Sequence, residues 1–202
     1  MCVTILVDFD NVMVNTGEAW VATLNRRYCT SVDYNDVTEW DITRFFPGIE
    51  RDDIYAPLSD GSVWESVVPV DGSQEFIQKM IDDGHEVYVA TSSSLNTIGK
   101  KWKEVLQKFF PMIHHNNVIV ASKKQMLKAD ILIDDAPFNI EGGEYFGILF
   151  DAPHNRSYEL PAVKPHSAPT IVRASDWNKI YDWVVWCAWE LDDYERENDI
   201  YG

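Results

Sequence analysis

The chain has 202 residues and a formal net charge of -16, with 46% hydrophobic and 25% charged residues. This length suits one well-buried core with room for a small inserted subdomain. The negative charge argues against a nucleic-acid polymer as partner, because such binding needs basic patches that displace counterions. The negative charge is compatible with a small anionic substrate. Every apolar run is too short to span a membrane.

The cysteine content points to a reducing compartment. Cys2, Cys29 and Cys187 have no C-x-x-C spacing and are odd in number. That pattern favours free thiols over a disulfide framework. The first residues also lack the charged and apolar pattern of a secretion leader. We therefore expect a cytoplasmic protein with no membrane partner.

The first predicted strand is the run V-T-I-L-V at residues 3–7, which leads directly into Asp8, Phe9 and Asp10. A continuous apolar run rich in β-branched residues is typical of a central parallel strand buried on both faces. In an extended chain Asp8 and Asp10 project to the same side, where two carboxylates repel unless a cation lies between them or one is protonated. Taken alone, an ordinary polar turn is the commoner explanation of such a pair.

Helices and strands alternate along most of the remaining chain. The hydrophobic spacing predicts helices over residues 17–28, 73–82 (with Ser73 as N-cap), 96–110 and 176–188, and strands over 86–90, 118–121, 131–133, 147–150 and 170–172. This order indicates an α/β fold, with helices on both faces of a parallel sheet. The acidic segment from Glu190 is expected to fray.

Residues 30–66 have a different texture, with many acids, two turn signals and scattered aromatic residues. We interpret residues 15–68 as a small, mostly helical cap insertion after the first strand, within a single domain of residues 1–202. The aromatic residues suit a small core of the insertion's own. The alternative is that some of them face a ligand held over Asp8.

Four of the predicted strands end in polar residues. In chain order these clusters are Asp8 with Asp10, Thr91 with Ser92, Lys123 or Lys124, and Asp134 with Asp135. The carboxyl ends of parallel strands share one edge of the sheet, where open α/β sheets bind ligands. Each cluster alone has a structural explanation as a helix cap, a solvated face or a turn. Their coincidence at one edge favours a functional site.

The chemistry of phosphoryl transfer accounts for this set. Carboxylates without a Cys or His cluster form a hard-oxygen site, which suits Mg²⁺ rather than Zn²⁺. A lysine and hydroxyls nearby would hold the oxygens of a phosphate. One carboxylate is then free to attack phosphorus, and a second one to exchange protons. The parts indicate hydrolysis through an aspartyl-phosphate.

The four clusters resemble the four motifs of the haloacid dehalogenase (HAD) superfamily of phosphatases. D-F-D-N-V resembles motif I, V-A-T-S motif II, Lys124 motif III and D-I-L-I-D-D motif IV. Within that superfamily the chain is most similar to the 5'(3')-deoxyribonucleotidase family, also through G-I-L-F-D-A-P-H-N and R-A-S-D-W-N-K-I. The resemblance implies a three-layer Rossmann-like HAD core with a helical cap. It also implies a Mg²⁺-dependent phosphomonoesterase that acts on (deoxy)nucleoside monophosphates.

The resemblance further assigns roles to the acidic motif residues. Asp8 is the expected nucleophile, and Asp10 the expected general acid and then base. Asp8, the backbone carbonyl of Asp10, and Asp135 are the expected Mg²⁺ ligands. Asp134 is expected to support these ligands or to share the metal.

The same resemblance assigns the phosphate-binding groups. Thr91 and Lys124 are expected to grip the phosphoryl group, with Ser92 nearby. Lys123, the neighbour of the motif lysine, is expected to face solvent.

Two departures from the family pattern lie in loops that shape the substrate pocket. The family usually has glycine where this chain has Asn11, and often proline where it has Ser93. Asparagine tolerates unusual backbone angles, so the turn after Asp10 is expected to survive. In the family the insertion recognises the base. Trp40 and Trp64 are our candidates for stacking on it, with core packing as the alternative for each.

Two other functions stay open at this stage. One is a HAD phosphatase for another small phosphoester, such as a sugar phosphate. The other is a non-catalytic HAD-like domain that binds a ligand or a partner protein, although every charged motif residue is present. The sequence leaves base preference, sugar and 5' versus 3' selectivity, and oligomeric state undetermined. The resemblance and the apolar C-terminal helix favour a homodimer.

Overall fold

A computed structural model describes residues 1–161 and 171–201, with side chains as far as residue 193. Its strands are β1 (Thr4–Val7), β2 (Glu86–Thr91), β3 (Val118–Val120), β4 (Ile131–Asp134), β5 (Phe146–Phe150) and β6 (Ile171–Ala174). They form one parallel sheet in the order β3-β2-β1-β4-β5-β6. Residue 170, where the last strand was predicted to begin, lies outside the described residues.

The run that opens the chain becomes the centre of this sheet. Ile5 and Val7 are buried in one hydrophobic cluster, and Leu6, between them, is buried in another on the opposite face. Leu6 lies between Tyr88 of β2 and Leu132 of β4. An apolar run without polar alternation is therefore explained by burial on both faces, as the sequence predicts.

Helices cover both faces of the sheet. They are α1 (Thr16–Tyr28), α2 (Arg51–Asp60), α3 (Ser73–Asp82), α4 (Leu95–Lys100), α5 (Gln107–Phe109), α6 (Pro137–Ile140) and α7 (Trp177–Tyr201). A π-helical segment, Lys101–Leu106, joins α4 to α5, so the predicted helix over 96–110 is continuous in space but not in hydrogen-bond pattern. The predicted α/β fold with a parallel sheet is confirmed.

Two helix predictions need correction. Gly72, with a φ of 79°, is the N-cap of α3, and none of the described side chains caps that helix; Ser73 is its first helical residue. The C-terminal helix does not close at Ala188 but continues to Tyr201, past Glu190 where fraying was expected. The acidic residues reduce the apolar signal in this segment. Glutamate and leucine are nevertheless good helix formers.

The helical elements between β1 and α3 are α1, α2 and two short 3₁₀ turns. This segment has its own small hydrophobic cluster, made of Val21, Leu24, Val37, Ile42, Phe46 and Ile54. The two ends of the segment meet, because Val14 forms a β-bridge with Pro69. A cap insertion over residues 15–68 stays a prediction, and this closed end and separate core support it.

Two further observations concern the surroundings of the protein. Cys2, Cys29 and Cys187 are free thiols, as the sequence predicts. Among the described helices, none has the length and apolarity needed to cross a bilayer.

Candidate active site

The polar ends of the strands meet at one edge of the sheet. Thr91 and Asp134 are the last residues of β2 and β4, and Asp8 follows β1 directly. The backbone N–H of Asp8 donates to the carbonyl of Ile133 at 2.8 Å, which ties the end of β1 to β4. Lys124 begins the 3₁₀ turn that follows β3. Parallel pairing therefore brings together four segments that are far apart in sequence.

Lys124 is the centre of a buried ion-pair network. Its Nζ lies 2.6 Å from Asp8 Oδ1 and 2.5 Å from Asp134 Oδ2. Its side chain is only 1% exposed. Burial alone would lower the pKa of Lys124, but the two carboxylates raise it above its usual value, so the ammonium form is favoured. Its neighbour Lys123 is exposed, as predicted.

Three carboxylates converge beside this lysine. Oxygen atoms of Asp8, Asp134 and Asp135 all lie within 4.8 Å of one another, and all three residues are buried. Burial raises the pKa of Asp8 well above its usual range, and the neighbouring acids add to this effect, while Lys124 opposes it. Three carboxylates and one ammonium carry a formal charge of -2 in a buried place. This donor set fits a hard divalent cation such as Mg²⁺.

The two acids of motif IV have different partners. Both oxygens of Asp134 are hydrogen bonded, to Lys124, to the backbone N–H of Ala136 and to Asn139 Nδ2. The carboxylate of Asp135 has its contacts on Oδ2 alone, from Asn11 and His154, and within the described residues nothing donates to its Oδ1. Asp135 therefore has a carboxylate oxygen available to a metal, whereas both carboxylate oxygens of Asp134 already accept hydrogen bonds.

Asp10 lies outside this carboxylate cluster and has partners of its own. Thr16 Oγ1 donates to Asp10 Oδ1 at 2.8 Å, and Lys101 Nζ donates to Asp10 Oδ2. The same ammonium donates to Thr91 Oγ1 at 3.0 Å. Lys101 thus joins the second carboxylate of motif I to the threonine of motif II.

Sequence reasoning missed Lys101. Its side chain is 3% exposed, and its Nζ lies 4.9 Å from the ring centroid of Phe9 and 5.4 Å from that of Trp64. It occupies the first position of the π-helical segment. The available signal was its position three residues after Ile98 and four before Val105, on the apolar side of the predicted helix. A charge on an apolar stripe needs a buried partner.

A cleft of about 490 Å³ opens above these residues and lies between the sheet edge and the cap. Its polar part includes Ser92 and Ser93, and the buried hydroxyl of Ser93 has no hydrogen-bond partner among the described residues. Its aromatic part comprises Trp20, Trp40, Tyr55, Trp64 and Phe138. A cleft with charged groups at one end and aromatic rings at the other matches a phosphorylated ligand with a flat apolar part.

The two predicted base-stacking residues occupy different environments. Trp40 is 55% exposed, and its ring meets the edges or faces of Phe138 and His154 at centroid distances of 4.9 and 5.0 Å. Trp64 is 3% exposed, donates its Nε1–H to the carbonyl of Leu58, and packs beside Lys101. Base stacking stays a prediction for both. Core packing describes the surroundings of Trp64, whereas Trp40 has an accessible ring.

The fold is that of solved haloacid dehalogenase-like proteins. The haloacid dehalogenase-like protein SP0104 from Streptococcus pneumoniae has a similar structure, with a TM-score of 0.58 at 12% identity over 91% of this chain and 98% of that one. The HAD hydrolase YfnB from Bacillus subtilis, solved with magnesium bound, gives a TM-score of 0.54 at 14% identity over 90% and 97%. At these identities the likeness concerns the fold.

Sequence comparison defines the family within this class. Residues 1–188 match the family described as "5' nucleotidase, deoxy (Pyrimidine), cytosolic type C protein". The 5'(3')-deoxyribonucleotidase of Bacillus subtilis strain 168 is 34% identical over 154 residues, which are 76% of this chain and 87% of that relative. The chain therefore belongs to this 5'-nucleotidase family.

Proposed function

We propose that this chain is a Mg²⁺-dependent phosphomonoesterase that releases phosphate from (deoxy)nucleoside monophosphates through an aspartyl-phosphate at Asp8. The observation that carries this proposal is the buried meeting of Asp8, Asp134 and Asp135 with Lys124 at the carboxyl edge of the sheet. Such a cluster combines a nucleophile, a cation site and a phosphate-binding ammonium within one cavity wall.

In the first half of the proposed reaction, Asp8 attacks phosphorus and the bond from phosphorus to the ester oxygen breaks. Asp10 gives a proton to that oxygen, so the nucleoside leaves as an alcohol. Lys124 Nζ, already 2.6 Å from Asp8 Oδ1, balances negative charge on the phosphoryl oxygens. We expect Thr91, the last residue of β2, and Ser92, which follows it, to hold the remaining oxygens.

In the second half, water attacks the phosphorus of the aspartyl-phosphate and gives a proton to Asp10. The bond from phosphorus to Asp8 breaks, which frees inorganic phosphate and restores the carboxylate. Lys101 and Thr16 hold the Asp10 carboxylate from two sides, so that the same group serves both proton transfers. Asp10 is therefore protonated at the start of the first half and ionised at the start of the second.

The residues suited to hold Mg²⁺ are Asp8 and Asp135, with Asp134 behind them and the backbone carbonyl of Asp10 as a further ligand taken from the family pattern. The bound cation would supply charge neutralisation for the phosphate oxygens. The formal charge of -2 on the cluster supports this assignment, as does the oxygen-only donor set.

Nucleotides are the proposed substrate class because of the family and the shape of the cleft. The relative from Bacillus subtilis bears the name 5'(3')-deoxyribonucleotidase. The aromatic part of the cleft faces its charged end and suits a nucleobase. We also infer a cytoplasmic location, which the three free thiols support.

A substrate panel tests the proposal. Deoxyribonucleoside and ribonucleoside 5'- and 3'-monophosphates, sugar phosphates and glycerol phosphate are each incubated with the protein in Mg²⁺ and in chelator, and released phosphate is measured. We expect the protein to release phosphate from nucleotides in the presence of Mg²⁺ and not in the presence of chelator. Hydrolysis of sugar phosphates without any nucleotide would favour the alternative substrate class, and no hydrolysis at all would favour a binding domain.

A homodimer stays a prediction, and the surface of α7 supports it. Val185, Trp186 and Trp189 on this helix are 46%, 42% and 60% exposed. Light scattering on the purified protein measures the mass in solution, and a monomer at micromolar concentration would contradict the prediction.

A further inference from the structure

Asn11 lies in the turn between β1 and α1, directly after Asp10. Its φ of 60° lies in the left-handed region, which asparagine tolerates better than most residues. The family pattern usually has glycine here, which adopts the same backbone conformation but has no side chain. The asparagine side chain therefore calls for its own explanation.

Both ends of the Asn11 amide are used. Nδ2 donates to Asp135 Oδ2 at 2.8 Å, and Oδ1 accepts a hydrogen bond of 2.6 Å from the backbone N–H of Gly17. The reverse amide orientation would place oxygen against a carboxylate and NH₂ against an N–H, so these partners fix the orientation. A Cβ at residue 17 would lie 2.8 Å from Asn11 Oδ1, so the contact also depends on glycine at that position.

The donor end of this amide acts on a proposed metal ligand. Asp135 is 1% exposed, and its Oδ2 also lies 3.3 Å from His154 Nε2. Asn11 and His154 thus occupy one carboxylate oxygen, and within the described residues Oδ1 has no hydrogen-bond donor. This arrangement keeps the carboxylate in one rotation and leaves a single oxygen for the cation.

We propose that Asn11 is a positioning residue for metal binding: its amide fixes the Asp135 carboxylate and ties it to the first turn of α1, the helix that begins the cap. The inference rests on the metal-dependent function proposed above. Groups that orient metal ligands typically change metal affinity by about 10- to 100-fold when they are removed. A glycine at position 11 would keep the turn and remove only this restraint.

Metal affinity in Asn11→Gly tests the proposal. Mn²⁺, which binds oxygen ligands of the same kind, is titrated into the protein, and free Mn²⁺ is followed by electron paramagnetic resonance. We expect the dissociation constant to rise about tenfold in the variant. We also expect its phosphatase activity to approach that of the wild type as Mg²⁺ is raised, because the restraint concerns the ligand rather than the reacting groups.

Cys29→Gly is the matched control. Cys29 is the other non-glycine residue with a positive φ (53°) within the described ranges, and it is exposed at the far end of α1. The control therefore measures the effect of replacing a residue of positive φ by glycine at a position outside the site. We expect unchanged Mn²⁺ affinity in this control.

The outcomes separate the two proposals. Equal Mn²⁺ affinity in wild type and Asn11→Gly would overturn the role of Asn11 while leaving the phosphatase proposal intact. Absence of Mn²⁺ binding to the wild type would overturn both. A thermal unfolding curve of each variant without metal establishes that the proteins compared are folded. If Asn11→Gly is unfolded at room temperature, the Mn²⁺ titration of both proteins is repeated below the Tm of the variant, with the same expected loss of affinity.

Discussion

Lys124 Nζ and Asp134 Oδ2 lie 2.5 Å apart, in a pair whose side chains are 1% and 0% exposed. Removing one partner of such a pair leaves an uncompensated buried charge, which costs about 3–5 kcal/mol. We therefore expect Lys124→Met to lower the free energy of unfolding by about this amount and to abolish phosphate release. Urea unfolding and a phosphate assay measure the two effects.

The adjacent lysine supplies the control for this substitution. Lys123 is exposed, so Lys123→Met is expected to change stability by about 0.5 kcal/mol or less and to retain activity. Equal losses in the two variants would contradict a special role for Lys124.

Asp8→Asn is expected to abolish phosphate release without unfolding the protein. The amide cannot attack phosphorus, and the substitution removes a carboxylate whose pKa burial raises well above its usual range. The metal-free variant should therefore be at least as resistant to heat as the wild type. Released phosphate and a thermal unfolding curve provide the test, and near-normal turnover would rule out Asp8 as the nucleophile.

The motif residues could be predicted from sequence because their position depends on the sheet alone. Once the strands are recognised as parallel, Asp8, Thr91, Lys124 and Asp134 must share an edge, whatever the details of the helices. The central strand was recognisable because burial on both faces excludes charged residues from positions 3–7.

The contacts made by helices and turns could not be predicted in the same way. Helical spacing places Lys101 on the buried side of its helix, but it does not indicate that Lys101 Nζ contacts Asp10 and Thr91. The bond from Asn11 to Asp135 depends on a left-handed turn and on a side-chain rotation. Neither is encoded in hydrophobic spacing, which reports which face is buried and not which polar atoms meet.

Lys101→Met is expected to reduce turnover by impairing Asp10. Loss of the ammonium from Asp10 Oδ2 and Thr91 Oγ1 leaves both groups less well positioned, and general acid–base catalysis is worth about 10²- to 10⁴-fold. We expect a fall in kcat toward that range. The fall in kcat/KM should be smaller with p-nitrophenyl phosphate, because kcat/KM reports the first half of the reaction and this leaving group needs little protonation.

Lys103→Met is the control for that prediction, since Lys103 is exposed in the same π-helical segment. It should leave kcat unchanged for both substrates. Equal losses in kcat/KM for the nucleotide and for p-nitrophenyl phosphate in Lys101→Met would argue against an effect on proton transfer to the leaving group.

Mg²⁺ is expected to stabilise the protein through Asp135. A ligand at one hundred times its dissociation constant stabilises the folded state by about 2.7 kcal/mol. For a chain of this size, that corresponds to a rise in Tm of about 5–10 °C. Asp135→Asn should lose most of this rise, whereas Asp71→Asn, at an exposed aspartate of the turn before α3, should keep it. A Tm that does not respond to Mg²⁺ in the wild type would contradict the metal site.

Trp40→Ala is expected to weaken nucleotide binding through loss of base stacking. The Trp40 ring is 55% exposed at the cleft. Phe138 and His154 make edge-to-face contacts with it, at interplanar angles of 90° and 80°. Stacking of a base on an aromatic ring is worth about 1–3 kcal/mol, so KM for a deoxyribonucleoside monophosphate should rise about 5- to 150-fold. Deoxyribose 5-phosphate lacks the base and should be hydrolysed equally by both proteins. Trp189→Ala removes a similarly exposed ring from α7 and should leave KM unchanged for both substrates. An equal rise in KM for both substrates in Trp40→Ala would mean that Trp40 shapes the cleft without contacting the base.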